Sequence, residues 1–208
     1  MTRRAMRTID ATTLTTTELY FLMTGLVVPR PIAWVSTASA DGRCNLAPFS
    51  HFTNCSGRPP TILFCAGGEK DTVRNIRSTT EFVVNIVSDD LKRPMRATSA
   101  KWPSDIDEFE ACGVQKQTSS HVAPPRVAAA CAAFECRLHQ VIPVGDAHIV
   151  VGEVLCFHIA PEIIVAGRVD LTLLQPVGKL SGSLYSTILS AEKIEIPAEF
   201  AGKVDDYL

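Results

Sequence analysis

The chain lacks both a strong net charge and any long apolar run. Its 20 basic and 22 acidic residues nearly cancel, leaving a formal charge of −2 at pH 7. Such a balance gives no global basic surface to attract a nucleic-acid backbone. No apolar run approaches the roughly 20 residues that cross a bilayer, and no secretory h-region follows the basic N-terminus. We therefore expect no nucleic-acid or membrane partner, and a cytoplasmic location.

The motifs of several metal and nucleotide sites are also missing. The seven cysteines are odd in number and include no Cys-x-x-Cys pair, which disfavours a disulfide scaffold and a zinc ribbon. The glycine-containing loop at Gly67–Thr72 does not meet the P-loop spacing, and no dinucleotide fingerprint is present. We predict no metal site and expect the histidines to be structural or solvated. The cysteines are expected to pack as small apolar residues; the alternative is a cysteine nucleophile, although no motif selects one.

The chain is rich in apolar residues, and they are grouped in short segments. Apolar residues make up 46% of the sequence, which excludes a disordered chain. Neither βαβ alternation nor an internal repeat is present, and helical segments are few and short. This organisation predicts a mainly β protein, an antiparallel sheet closed into a barrel, in a single domain over residues 1–208. Strands are predicted at 32–37, 45–52, 61–66, 81–87, 131–142 and 147–159.

Three helix starts can be read from capping patterns. Thr15 begins a capping box, and Gly25 is the expected end of that helix. Asp71 is the expected N-cap of a second helix. A third, short helix begins at Asp107, with Glu108 in an acidic first turn that the helix dipole favours.

The densest group of polar residues among the apolar strands lies between residues 29 and 72. Two hydroxyls, a lysine and the N–H groups at a helix start would suit a phosphate, while proline and strand backbone would suit a flat aromatic ring. The alternative is that the hydroxyls only cap turns. The polar residues of this group are Arg30, Ser36, Thr37, Asn45, Ser50, Lys70, Asp71 and Thr72.

The order and spacing of several short motifs carry a family resemblance. The motifs are Pro29–Thr37, Asp41–Gly42, Asn45–Ser50, Pro59–Pro60, Lys70–Asn75 and Glu81–Asn85, followed by Asp107–Phe109, Gly113, Pro124–Arg126, Glu135–Cys136 and Val151–Val154. Together they resemble the flavin reductase-like, FMN-binding split-barrel family. The resemblance covers roughly residues 18–187, the expected core of the domain, between N- and C-terminal extensions.

The resemblance implies a six-stranded antiparallel split barrel that binds FMN non-covalently. It also implies a homodimer with the flavin near the interface between subunits. Backbone N–H groups of the Asn45–Phe49 strand would donate to the ring, and Cys44 and Cys55 bracket that strand. The resemblance places Ser36, Thr37, Asn45, Ala47 and Ser50 around the flavin, Lys70, Asp71 and Thr72 near the phosphate and ribityl chain, and Arg30 as a further contact.

The chain departs from the family pattern near its C-terminus. Many relatives carry Arg-Leu-Gly-Gly and then a tyrosine, whereas this chain has Lys179-Leu-Ser-Gly182 and Tyr185. Lysine keeps the charge but loses the planar fork of arginine. His51 stands where an aromatic or small residue is common, and either touches substrate or is structural. Trp102 lies in an irregular loop as either a lid over the flavin or a packing residue.

The resemblance implies an FMN-dependent oxidoreductase of flavin-reductase type. Hydride would pass from NAD(P)H to the flavin, and electrons onward to an acceptor such as an electron-accepting protein or a partner monooxygenase. Hydride transfer needs stacking geometry rather than an acid or base side chain, so no catalytic residue is predicted. The alternative is a flavoredoxin-like FMN carrier that a protein partner reduces, without an NAD(P)H site. A third possibility is a relative that has lost flavin and serves as a binding module.

Overall fold

The computed structural model describes residues 4–197, whose strands all pair antiparallel. The strands are β1 (Arg30–Pro31), β2 (Ala33–Ala38), β3 (Cys44–Phe49), β4 (Phe52–Gly57), β5 (Pro60–Gly67), β6 (Glu81–Ile86), β7 (Lys116–Gln117), β8 (Arg126–Val127), β9 (Ala132–Val144), β10 (Ala147–Ile159), β11 (Ile164–Val165), β12 (Arg168–Val169), β13 (Val177–Lys179) and β14 (Tyr185–Thr187). The helices are α1 (Thr16–Leu26), α2 (Asp71–Thr79), α3 (Lys92–Thr98), α4 (Glu108–Ala111) and α5 (Leu171–Leu174), with 3₁₀ turns at Ala11–Thr13, Asp89–Leu91 and Pro161–Ile163. None of the helices in this range is long and apolar enough to cross a membrane.

The main sheet has seven strands in the order β3-β2-β6-β9-β10-β5-β4. Its two edge strands, β3 and β4, are consecutive in the chain and are joined only by Ser50 and His51. Because such a short link holds the two edges together, the sheet must curl into a barrel. The structure therefore confirms the mainly β, barrel-like class.

The sheet has one strand more than expected, because the predicted strand at 45–52 is divided. β3 ends at Phe49, and the chain then turns into β4, which pairs with β5. Most of β4 is exposed and polar, so it has no apolar alternation from which to recognise a strand. β4 is therefore held by its hydrogen-bonded partner rather than by its own composition.

Two cores share strand β2, which is buried on both faces. Ala33 and Val35 face the barrel interior with Phe64 and Phe82. The intervening Trp34 faces a second core, which α3 and α4 help to cover. Alternate residues of a strand point to opposite faces, so one strand can serve both cores. This double burial gives the site a rigid base.

Helix α1 begins as predicted but ends one residue later than expected. The Thr15 hydroxyl accepts from the N–H of Glu18, whose carboxylate accepts from the N–H of Thr15 at 2.9 Å. The capping box is thus confirmed. The expectation that Gly25 ends the helix is wrong, because the helix runs through Gly25 to Leu26. Proline at 29 disfavours further helix in the residues before it.

The N-cap residues of α2 and α4 both differ from what the sequence predicts for the starts of these helices. The predicted short helix forms as α4, but Asp107 is its N-cap rather than its first residue, and accepts from the N–H of Phe109 at 2.9 Å. The cap of α2 is Lys70 rather than Asp71, because Lys70 is extended while Asp71 already has helical geometry. Asp71 instead pairs with Arg74 one turn later. The first turn of α2 therefore has no side-chain cap.

Candidate functional site

A cavity of about 320 Å³ lies between the edge strand β3, the start of α2 and the segment that follows α3. This volume falls within the range of roughly 300–1,000 Å³ typical of small-molecule sites. Pro48 and Phe49 add apolar surface to the cavity wall. Five of the residues predicted from the sequence line it together: Asn45, Ala47, Lys70, Asp71 and Thr72.

The oxygen of the Thr72 hydroxyl accepts a hydrogen bond from a neighbouring side chain, while its proton is left to donate. Thr72 is only 1% exposed, and its Oγ1 accepts a hydrogen bond from the Asn45 Nδ2 at 3.0 Å. A hydroxyl carries one proton and two acceptor lone pairs. Within residues 4–197 the Thr72 proton itself has no acceptor. The hydroxyl can therefore donate to an oxygen of a ligand in the cavity.

The start of α2 makes one side of the cavity electropositive. Because no side chain caps the helix, the N–H groups of its first turn stay available to a ligand, and the helix dipole favours an anion there. Lys70 and Lys101 also line the cavity, and neither forms an ion pair within residues 4–197. Glu69 is held instead by Arg77 at 2.9 Å and by His148 at 3.3 Å. This side of the cavity suits a phosphate.

A buried carboxylate that the sequence analysis assigned only to a helix turn forms another part of the cavity wall. Glu108 is 7% exposed, and its Oε2 accepts from the N–H of Leu46 at 2.9 Å. Burial raises the pKa of Glu108 above its usual value. The sequence signal was the position of Glu108 beside an N-cap, which predicts a helix start but not contact with a strand 62 residues earlier.

The Glu108 contact changes what the edge of β3 can offer to a flavin ring. Pro48 has no N–H, and the N–H of Leu46 is already bonded. Because partner-facing N–H groups alternate along an antiparallel strand, those of Asn45, Ala47 and Phe49 must face β2. The expectation that N–H groups of this strand are available to a ring is therefore wrong. The free edge of the strand presents backbone carbonyls instead.

Ser36 and Thr37 lie under the cavity rather than in its wall. Both are fully buried. The Ser36 hydroxyl donates to the carbonyl of Pro125, and the Thr37 hydroxyl accepts from the Asn75 Nδ2 at 3.0 Å. The first contact attaches the loop at Pro125 to β2, and the second attaches helix α2 to β2. In this structure the two side chains position the site.

Arg30 and Ser50 also lie outside the cavity wall. Arg30 is 5% exposed and donates to the carbonyls of Thr24 at 2.7 Å and Leu180 at 2.9 Å. It therefore connects the end of α1 to the segment after β13. Ser50 is half-buried in the link between β3 and β4.

The sequence does not assign a single role to Trp102, Lys179 or His51, and the structure gives each of them different neighbours. Trp102 lies on the cavity wall and is 37% exposed. The Nζ of Lys179 lies 4.3 Å from the centre of the Tyr185 ring, a cation–π contact. Burial, with a smaller contribution from nearby arginine charge, lowers the pKa of Lys179. His51 is exposed, and partial burial of its ring together with the Arg30 charge lowers its pKa.

Comparison with known proteins matches this chain and its fold to one family. The family model of the flavin reductase like domain matches residues 24–168. The chain is a member of the flavin reductase-like family. Membership supports a flavin as the cofactor and an oxidoreductase role for this flavin reductase-like protein.

Relatives of this flavin reductase-like protein extend over nearly its whole length. A protein of Aquifex aeolicus is 39% identical over 184 residues, covering 86% of this chain and 94% of the relative. The structure is similar to that of nitrilotriacetate monooxygenase component B from Bacillus cereus, with a TM-score of 0.88, 31% identity and coverage of 93% and 100% of the two chains. It is also similar to 2-nitrobenzoate 2-nitroreductase from Pseudomonas fluorescens, with a TM-score of 0.86, 32% identity and coverage of 92% and 97%.

Proposed function

We propose that this flavin reductase-like protein is an FMN-dependent oxidoreductase that takes hydride from NAD(P)H and passes electrons to an acceptor. The observation that carries the proposal is the joint placement of Thr72, Asn45 and Lys70 in one cavity at the uncapped start of α2. When bound, the flavin supplies the redox chemistry. The chain itself binds, orients and shields that cofactor.

The proposed orientation follows from the charges of the cavity. The phosphate would lie at the first turn of α2, where the Thr72 hydroxyl and Lys70, which both line the cavity, would donate to it. The ring then lies toward Pro48 and Phe49, whose apolar surfaces exclude water. Carbonyls on the free edge of β3 accept from ring or ribityl donors. The functions of Arg30, Ser36 and Thr37 in this proposal are to hold the surrounding elements in place.

FMN is favoured over FAD by the form of the phosphate subsite. One helix start with one buried hydroxyl and the lysine beside it, Lys70, matches a single terminal phosphate dianion. A cavity of about 320 Å³ also suits one nucleotide better than a dinucleotide. We therefore expect FMN to bind more tightly than FAD.

We also propose that the protein forms a homodimer in the cytoplasm, as one domain over its whole length. Helix α1 buries only Thr24, and its apolar side chains face outward. Tyr20, Phe21, Met23 and Leu26 are each more than half exposed. Large apolar side chains exposed together on one helix favour an interface at this helix. Because the Bacillus cereus structure is a component of a monooxygenase, a partner monooxygenase is one acceptor that we propose.

The test of the function is rapid-mixing absorbance of the FMN-loaded protein with NADH or NADPH. Bleaching of the flavin band by either nucleotide, followed by recovery in air, supports the proposal. Normal bleaching by dithionite but none by either nucleotide would favour the electron-carrier alternative. Failure to take up any flavin would favour the binding module.

A further inference from the structure

A second polar cluster lies on the outer face of the main sheet, away from the flavin cavity. Glu135 on β9 and Cys156 and His158 on β10 place a carboxylate oxygen, a thiol sulfur and a ring nitrogen within 4.8 Å of one another. Glu135 is fully buried, and the other two residues are half-buried. None of the three lines the proposed flavin cavity. Three different types of metal-ligand atom therefore meet at one point.

A β-bulge brings these side chains together. The register between β10 and β9 shifts between Val154 and Cys156, so that Cys156 lies opposite Glu135. In a regular strand, residues two apart point to the same face. Without the shift, Cys156 and His158 would point into the barrel with Val154. The extra residue, Leu155, turns them to the face that carries Glu135, as bulges do where they redirect side chains at functional sites.

The Cys156 thiol has a hydrogen-bond acceptor of its own in the Phe157 carbonyl at 3.8 Å, and the other potential ligand atoms meet at the ring of His158. Its Nε2 lies 2.5 Å from the Glu135 Oε1 and 3.7 Å from the Cys156 Sγ. A neutral ring nitrogen has either one proton or one lone pair, and so serves one partner. Here two groups converge on the same atom. A cation between them would be ligated by all three side chains at once.

Glu135 is already prepared to act as an anionic ligand. Its carboxylate accepts from the N–H groups of Ser120 at 2.7 Å, His121 at 2.5 Å and Val122 at 3.2 Å. These backbone donors hold the carboxylate in one orientation, so little further ordering of Glu135 would accompany metal binding.

We propose that Glu135, Cys156 and His158 bind a divalent transition-metal ion of the zinc class. Zinc accepts oxygen, nitrogen and sulfur ligands, whereas calcium and magnesium avoid thiolates. Sulfur and nitrogen ligands of tetrahedral zinc lie roughly 3.6 Å apart. The Cys156 Sγ and the His158 Nε2 are 3.7 Å apart. The oxygen and nitrogen must separate by less than about 1 Å, to the roughly 3.3 Å that the same geometry requires.

Binding would leave one coordination position for water or another small ligand. Three protein ligands with an open fourth position are typical of exchangeable rather than purely structural zinc sites. His158 borders a cleft of about 410 Å³ that Cys131 and Phe157 also line, which gives the ion access to solvent. The Cys156 thiol loses its proton to solvent as the metal–sulfur bond forms.

The test uses the full-length protein after chelator treatment, titrated with Co²⁺ as a spectroscopic probe for zinc. Spectra are recorded as differences against metal-free protein of the same flavin content. We expect one ion per chain, with a thiolate-to-metal absorption band that zinc abolishes by competition. Cys156→Ser should remove the band and weaken binding at least tenfold, since even outer-shell changes cost about 10–100-fold. His158→Gln should weaken binding to a similar degree.

Cys131→Ser is the matched control, because Cys131 is half-buried at the same cleft but is not one of the three ligands. It should leave the band and the affinity unchanged. FMN affinity should stay the same in all three variants, which separates this test from that of the proposed function. Absence of stoichiometric binding, or equal Co²⁺ spectra for the wild type and Cys156→Ser, would overturn the proposal.

Discussion

The Thr72 hydroxyl offers the sharpest test of the proposed phosphate subsite. Thr72→Val keeps the shape of the side chain and removes the only side-chain proton that this 1%-exposed residue can donate into the cavity. A hydrogen bond to a charged group contributes about 1.5–3 kcal/mol. Its loss should raise the Kd for FMN by roughly 10- to 150-fold.

Riboflavin separates loss of the phosphate contact from general damage to the cavity. It carries the same ring and ribityl chain without the phosphate, so its Kd should be nearly the same for the wild type and Thr72→Val. Thr72→Ser retains the hydroxyl and should bind FMN close to wild-type affinity. Fluorescence titration of both flavins measures these values. An equal loss for FMN and riboflavin, or no loss for either, would refute the assignment of the phosphate to this hydroxyl.

Three further predictions concern packing, pH and assembly. Gly152→Ala should lower the free energy of unfolding by about 1–3 kcal/mol in urea denaturation, because a Cβ there would overlap the fully buried Phe82 ring; a change below about 0.5 kcal/mol would contradict this. Because burial raises the folded-state pKa of Glu108, the folded state holds that proton to higher pH than the unfolded state. The melting temperature of the wild type should therefore fall relative to that of Glu108→Gln as the pH rises from about 4 toward neutral. A rise in the wild-type melting temperature relative to the variant would contradict this prediction. Met23→Asp combined with Leu26→Asp should give a monomer by light scattering if the exposed face of α1 forms the dimer, whereas an unchanged dimer mass would place the interface elsewhere.

The long hairpin of β9 and β10 could be predicted because its signals are local. Apolar residues run through both strands, and a turn around Gly145 separates them. The division of the predicted strand at 45–52 was not predictable in the same way. β4 is polar and exposed, and it is a strand only because β5 pairs with it.

Parts of the site were predictable for the same reason, and others were not. Lys70 and Thr72 stand at a helix start that the sequence indicates, so their place together at one end of the cavity can be inferred locally. The contact of Glu108 with the edge of β3 joins residues far apart in sequence, and no local pattern contains it. The cluster around His158 depends on a single extra residue at Leu155, whose effect on strand register is visible only in the paired sheet.

The cavity between β3 and the start of α2 is the place where we propose that the flavin binds. A crystal structure of the protein with FMN tests this most directly. We expect the phosphate within hydrogen-bonding distance of the Thr72 hydroxyl and the first N–H groups of α2, with the ring against Pro48 and Phe49. FMN bound elsewhere, or in this cavity with its phosphate directed away from α2, would contradict the account.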